Sequence, residues 1–183
     1  MLLYADDILL YRVIRNRQDL VHIQQDINSL HNWIQEKYLQ FNASKCKYML
    51  ISRKRQPLVS SDVFTINNLK IEKVEHFKYL GVRLSSNLTW NKHIEEICKS
   101  ASKQTGMIYR KFYQNSSRET LLNLYISLIR PRLEYAAPVW DPSHQTLTQA
   151  VEKVQRFALK MCLKNWFSTY EELLRFQASN FER

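Results

Sequence analysis

Glycine is nearly missing from this 183-residue chain, which contains only Gly81 and Gly106. β-Sandwiches and barrels turn often and use glycine where φ must be positive, so an architecture of that kind is disfavoured. Cysteine is scarce as well. Cys46, Cys98 and Cys162 are far apart and odd in number, which argues against a disulfide framework and offers no metal-type pair. The five histidines add no zinc spacing. The cysteines read as reduced thiols of an intracellular protein. No apolar run approaches the length of a membrane span, and no signal peptide precedes the first motif. Acid is the last shortage. Against 27 Lys and Arg stand 17 Asp and Glu, a formal net charge of +10. So basic a surface favours an anionic partner, nucleic acid ahead of a membrane surface. The 45% hydrophobic content is ordinary for a soluble protein, so a packed core is expected rather than disorder.

What is present divides near residue 88. "LLYADDILLY" (Leu2 to Tyr11) reads as strand, turn, strand. Asn16 then caps a helix with Asp19 in its first turn. Leu20, Ile23, Ile27, Leu30 and Ile34 form one apolar stripe on it, widened by Trp33 and Tyr38. "NASKCKYMLIS" (Asn42 to Ser52) is a turn feeding a strand, and "RKRQP" an exposed basic loop. Strands are expected over Val63 to Ile66, Lys70 to Val74 and His76 to Leu84, the last with Gly81 at its centre as a bulge or point of close approach. Beyond residue 88 the pattern turns helical. Ile94, Ile97, Ala101, Thr105, Ile108 and Phe112 trace one face of a long helix in which Gly106 is a weak point. Ser116 with Glu119 offers a capping box for a helix bearing Leu121, Leu124, Tyr125 and Leu128, which Pro131 ends or kinks. Leu147, Val151, Val154, Ala158 and Met161 mark another helix, and Ser168 with Glu171 caps a short last one. The fold class is α+β: a mixed part over 1–88 and an all-helical part over 89–183.

The chemistry-bearing residues begin with Asp6 and Asp7. Neighbours on a regular strand point to opposite faces, so two adjacent aspartates converge only in the tight turn of a hairpin. Carboxylates gathered there suit Mg²⁺, a hard cation that takes oxygen ligands and bridges to substrate phosphates. A solvated Asp-Asp turn is the bland alternative, since turns select aspartate anyway. Between Glu96 and Glu119, Lys99, Lys103, Arg110, Lys111 and Arg118 occur with no acid among them, a pattern suited to a phosphate backbone.

Tyr4-Ala5-Asp6-Asp7 resembles the tetrapeptide at the polymerase site of reverse transcriptases. "NASKCKYMLIS", "FKYLGVRL", "LTWNKHIEEICKSASK" and "LIRPRLEYAAPVW" extend the likeness, in order, to the enzymes of non-LTR (LINE-type) retrotransposons. That resemblance implies a right-hand polymerase. Residues 1–88 would be the C-terminal part of the palm, an antiparallel hairpin and helix with a primer-grip-like strand. Residues 89–183 would be a helical thumb, cut short at the C-terminus. It implies RNA-directed DNA synthesis by two-metal nucleotidyl transfer, with Mg²⁺ or Mn²⁺ as cofactor, an RNA template and a DNA primer as partners, and deoxynucleoside triphosphates as substrates. Asp6 would be the principal metal ligand and Asp7 a secondary one. Tyr4 and Ala5 would face the primer end and the incoming nucleotide, and Lys45 would protonate the departing pyrophosphate. Tyr79, Leu80 and Gly81 would hold the primer, while Lys99, Lys103, Arg110 and Lys111 would follow the backbone. The family's other catalytic carboxylate and its fingers precede the tetrapeptide, so the chain is expected to be a fragment inactive by itself. The alternatives are a nucleic-acid-binding remnant without catalysis and an unstable fragment without function. Location is expected to be intracellular, nucleus or cytoplasm, and the oligomeric state is left open.

Overall fold

The structure is a computed structural model describing residues 1–38, 42–52, 64–142, 144–169, 171–173 and 175–176. The basic loop expected at 53–57, and Val63, lie outside them. The chain divides into two compact units. The first comprises 1–79 and 84–88, the second 80–83 and 89–183.

In the first unit, β1 (Leu2–Tyr4) and β2 (Asp7–Leu9) form an antiparallel hairpin in the register Leu2↔Leu9, Leu3↔Ile8, Tyr4↔Asp7. Helix α1 (Arg17–Glu36) starts as the sequence predicts. The Asn16 side chain accepts from the Asp19 N–H at 3.1 Å while the Asp19 carboxylate accepts from the Asn16 N–H at 3.0 Å, a complete capping box. The N–H groups of Arg15 and Asn16 hold the Asp19 carboxyl below its ordinary value. Ile34 is buried and Leu20, Ile23, Ile27 and Leu30 are half-buried, so the apolar stripe forms. Trp33 and Tyr38 do not join it. Trp33 is half-exposed, and Tyr38 follows the helix with φ 56° and a nearly bare ring. Against α1 lies β4 (Thr65–Ile66). The Gln24 amide donates to Thr65 O (2.8 Å) and accepts from Thr65 N–H (3.0 Å), pairing with the strand as another strand would.

The other strands are short. A 3₁₀ turn (Ala43–Lys45) leads into β3 (Lys47–Tyr48), which pairs in parallel with β6 (Glu72–Lys73). The strand expected over Lys70 to Val74 is two: β5 (Leu69–Lys70), hairpinned to β4 through Asn67 and Asn68, and β6. Both asparagines have positive φ, 48° and 62°, as a two-residue turn matching the strand twist requires. Ile71 between β5 and β6 is buried, its N–H bonded to Phe64 O at 2.8 Å.

The second unit is helical. Helix α2 (Asn91–Phe112) buries His93, Ile94, Ala101, Thr105 and Ile108. Helix α3 (Arg118–Leu124) is capped by Ser117, not Ser116, because Ser117 holds the extended backbone from which its hydroxyl accepts the Thr120 N–H. A π-helical turn (Tyr125–Ile129) and α4 (Arg130–Glu134) continue it. Pro131 has no N–H to give and its ring crowds the preceding turn, so the helix widens just ahead of it instead of ending. A short α5 (Ala137–Trp140) precedes α6 (Gln145–Leu163). The last cap is one residue later than expected: the Thr169 hydroxyl accepts from Glu172 N–H and the Glu172 carboxylate from Thr169 N–H. One core joins Ala101, Ile108, Leu121, Tyr125, Ile129 and Leu133 to Ala158, Met161, Cys162 and Leu173. Among the described residues no helix is long and apolar enough to cross a membrane.

Two core groups make this unit sensitive to alkali. Burial pushes the Cys162 thiol up to about 12, and burial followed by the Glu134 charge pushes the Tyr125 phenol up to about 12. In the unfolded chain they ionise near 9.0 and 10.0. A raised native value means that stability is complete below the unfolded value and is lost as pH climbs towards the native one. Urea midpoints should hold steady from pH 7 to about 8.5 and fall between about 9 and 12, and Cys162→Ala should make that fall shallower.

Candidate metal centre and nucleic-acid interface

Ala5 and Asp6 form the two-residue turn between β1 and β2, and Ala5 has φ 52°. A positive φ at the first turn residue is what hairpin turns of this length require. Asp7 opens β2 directly across from Tyr4. Both carboxylates therefore stand at the hairpin tip, exposed, in the one local geometry that lets adjacent acids serve one ion. Tyr4 is exposed beside them. Among the described residues no group of three or more His, Cys, Asp or Glu could hold a metal. The tip supplies two oxygen donors and leaves the remaining positions to water and phosphate, an arrangement that Mg²⁺ accepts. Two carboxylates are the donor type that a divalent ion takes, and the described residues bring no third acid, His or Cys to them.

Lys45 closes the 3₁₀ turn after Asn42, exposed, with its N–H on Asn42 O at 3.0 Å. The structure records no contact between Lys45 and either acid.

Gly81 does not sit inside one strand. The segment expected as a strand over His76 to Leu84 is a hairpin, β7 (His76–Tyr79) and β8 (Val82–Ser85), turning at Leu80 and Gly81. Their φ values are 45° and 84°, both positive, which only glycine adopts without strain. What approaches Gly81 closely is Tyr135. A Cβ at Gly81 would lie 2.9 Å from Tyr135 Cε1, and the Tyr135 hydroxyl donates to Leu80 O at 2.8 Å. Trp140 Nε1 donates in turn to Tyr135 O at 2.7 Å. Tyr135 thus latches a non-glycine residue, Leu80, in the left-handed region. No local spacing could have revealed a partner 55 positions away. Gly81→Ala is expected to cost about 1–2 kcal/mol, read as a lower urea midpoint, since Cβ adds backbone strain and meets the ring.

Lys99, Lys103, Arg110 and Lys111 are all exposed on α2. At about 100° per residue the first three fall on one line roughly 40° wide, while Lys111 lies about 100° round from Arg110. Lys92, seven residues before Lys99 and also exposed, extends the line and was missed because Glu95 and Glu96 intervene in sequence. Glu96 is bound to Arg83 at 2.8 Å. The Arg110 guanidinium lies close over Gly106, with Nη1 3.4 Å from where a Cβ there would stand.

Residues 1–84 match the family described as reverse transcriptase (RNA-dependent DNA polymerase). The chain is 24% identical over 173 residues to the probable RNA-directed DNA polymerase from transposon X-element of Drosophila melanogaster, covering 90% of this chain and 18% of the relative. It is 24% identical over 163 residues to the RNA-directed DNA polymerase from mobile element jockey of Drosophila funebris, covering 86% and 17%. The reverse transcriptase match thus covers the first 84 of 183 residues, and the chain is similar over most of its length to the RNA-directed DNA polymerases of these two mobile elements. The chain spans less than a fifth of the length of these relatives. No solved structure matches it.

Proposed function

We propose that the chain supplies the YADD-bearing part of the palm and a helical thumb to an RNA-directed DNA polymerase. The observation that carries this is the two-residue turn that brings Asp6 and Asp7 to one hairpin tip inside the segment matched to the family. Asp6 is the principal ligand of the catalytic ions and Asp7 the secondary one. Bound Mg²⁺ or Mn²⁺ supplies charge stabilisation at the attacking and leaving oxygens of nucleotidyl transfer. Tyr4 and Ala5 bear on the primer end and the incoming deoxynucleotide. Lys45, exposed and mobile in reach on its four-carbon stem, holds the proton destined for pyrophosphate. The turn of β7 and β8 holds the primer through Tyr79, Leu80 and Gly81, with Tyr135 fixing the turn. Lys99, Lys103 and Arg110 meet the backbone of an RNA–DNA duplex along one line of α2, and Lys111, about 100° round the helix, reaches it only from the flank.

A second reading, nucleic-acid binding without catalysis, is favoured by one observation. The basic line of α2 is fully formed, whereas the described residues bring no third metal ligand to Asp6 and Asp7. Primer extension separates the two. The 183-residue chain is expected to bind an RNA–DNA primer-template and extend nothing, while a longer polymerase carrying it extends the primer in an Asp6-dependent way. Asp6-independent synthesis by the longer protein would overturn the catalytic reading and leave the binding one.

A further inference from the structure

We propose that the face of α6 around Phe157, with Trp166 and Phe167, is a stacking surface for single-stranded nucleic acid, distinct from the basic line of α2. Only the class of ligand is shared with the function proposed above. Four rings are in contact across α2, α6 and the segment after α6. Tyr109 and Tyr113 have centroids 4.7 Å apart, each lies 6.0 Å from Trp166, and Phe157 lies 5.3 Å from Trp166. Trp166 is fixed: its Nε1 donates to the Tyr113 hydroxyl at 3.1 Å, and its carbonyl accepts from Lys160 Nζ at 3.0 Å. The outer rings are open to solvent. Phe157 is 48% exposed, Tyr109 40% and Phe167 95%. Leaving a phenylalanine bare forgoes about 2 kcal/mol of burial, so an exposed pair beside a fixed tryptophan suggests a partner for the rings.

Charge says which partner. Residues 153–170 contain Lys153, Arg156, Lys160 and Lys164 and no acid. An open groove of about 490 Å³ is lined by Gln149, Lys153, Arg156, Phe157 and Lys160. Arg156 is bound to Glu152, so the excess charge is lysine. Lys164, whose left-handed backbone (φ 52°) ends α6, holds its ammonium 5.5 Å from the Tyr113 ring centroid. Rings interleaved with cations match a polyanion that carries flat apolar faces. A duplex hides those faces within its own stack, and a single strand presents them.

The test uses the 183-residue chain, a labelled oligothymidylate of about 12 nucleotides and an RNA–DNA heteroduplex, with affinity read by fluorescence anisotropy. Phe157→Ala and Phe167→Ala should each weaken the single strand about 5- to 150-fold, the loss expected for one stacked base, and leave the heteroduplex within about twofold. Lys153→Ala should lower the salt slope for the single strand by about 0.7. Phe167, bare in the native state, can be removed without unfolding the helices, and a melting curve checks this for Phe157→Ala. Unchanged oligothymidylate affinity in both aromatic variants would overturn the proposal, while loss of heteroduplex binding in Lys103→Ala/Arg110→Ala would still uphold the α2 reading. A concentration-dependent dimer abolished by Phe157→Ala, with single-strand binding intact, would overturn it in favour of self-association.

Discussion

Asp6→Asn in a polymerase carrying this chain should cut templated nucleotide incorporation by on the order of 10³-fold or more, with primer-template affinity unchanged. The amide keeps the shape of the hairpin tip but removes a formal charge and an oxygen that an ion grips well. Metal-assisted charge stabilisation is worth several kcal/mol at the transition state, and each 1.36 kcal/mol is a factor of ten in rate. The fold should not notice. Asp6 is exposed and lies in a turn whose positive φ falls on Ala5, so Asn is accommodated at no steric cost. Asp7→Asn should cost less, as a secondary ligand, and the difference between the two is read in single-turnover extension at fixed Mg²⁺. Equal, small effects at both positions would return the pair to a solvated turn.

Ile108→Ala should remove about 2–5 kcal/mol from the stability of the helical unit, a large share of a domain's usual 5–15. Ile108 is completely buried in the core shared by α2, α3 and α6. It lies about 180° round α2 from Lys99, so the helix presents its basic line to solvent because its opposite side is pinned. A urea titration should show the lowered midpoint. Heteroduplex binding should fall in parallel at the temperature where the variant melts, and be normal well below it. If binding is lost while the unit is still folded, Ile108 does more than anchor the helix.

How much of this was legible follows from where each determinant lies. The cap at Asn16, the stripe of α1, the long α2 and the acids at the hairpin tip are written within a few neighbouring residues, and pattern reading finds them. Choices between adjacent serines or threonines are not so written. Ser117 and Thr169 win over Ser116 and Ser168 through the backbone geometry of one residue, which spacing does not distinguish. The turn at Leu80 and Gly81 was read as strand interior because Leu-Gly is not a usual turn pair. Its missing support comes from Tyr135, far along the chain. Pro131 was expected to end or kink a helix; the helix does not end there, and a π-helical turn just ahead of it takes up the lost bond. The stacking rings were invisible for a related reason: Tyr109, Phe157 and Trp166 meet only when α2 and α6 pack.

Whether this chain grips a template-primer is decided most directly by the salt dependence of its heteroduplex affinity, wild type against Lys103→Ala/Arg110→Ala. Each phosphate contact contributes about 0.9 to the log–log slope for B-form DNA, and a heteroduplex should be of that order. The double variant should therefore show a slope lower by roughly 1 to 2, for every sequence alike, because phosphate contacts position without specifying. A slope identical to wild type would contradict the placement of nucleic acid on α2 and reduce its basic line to a solvated face.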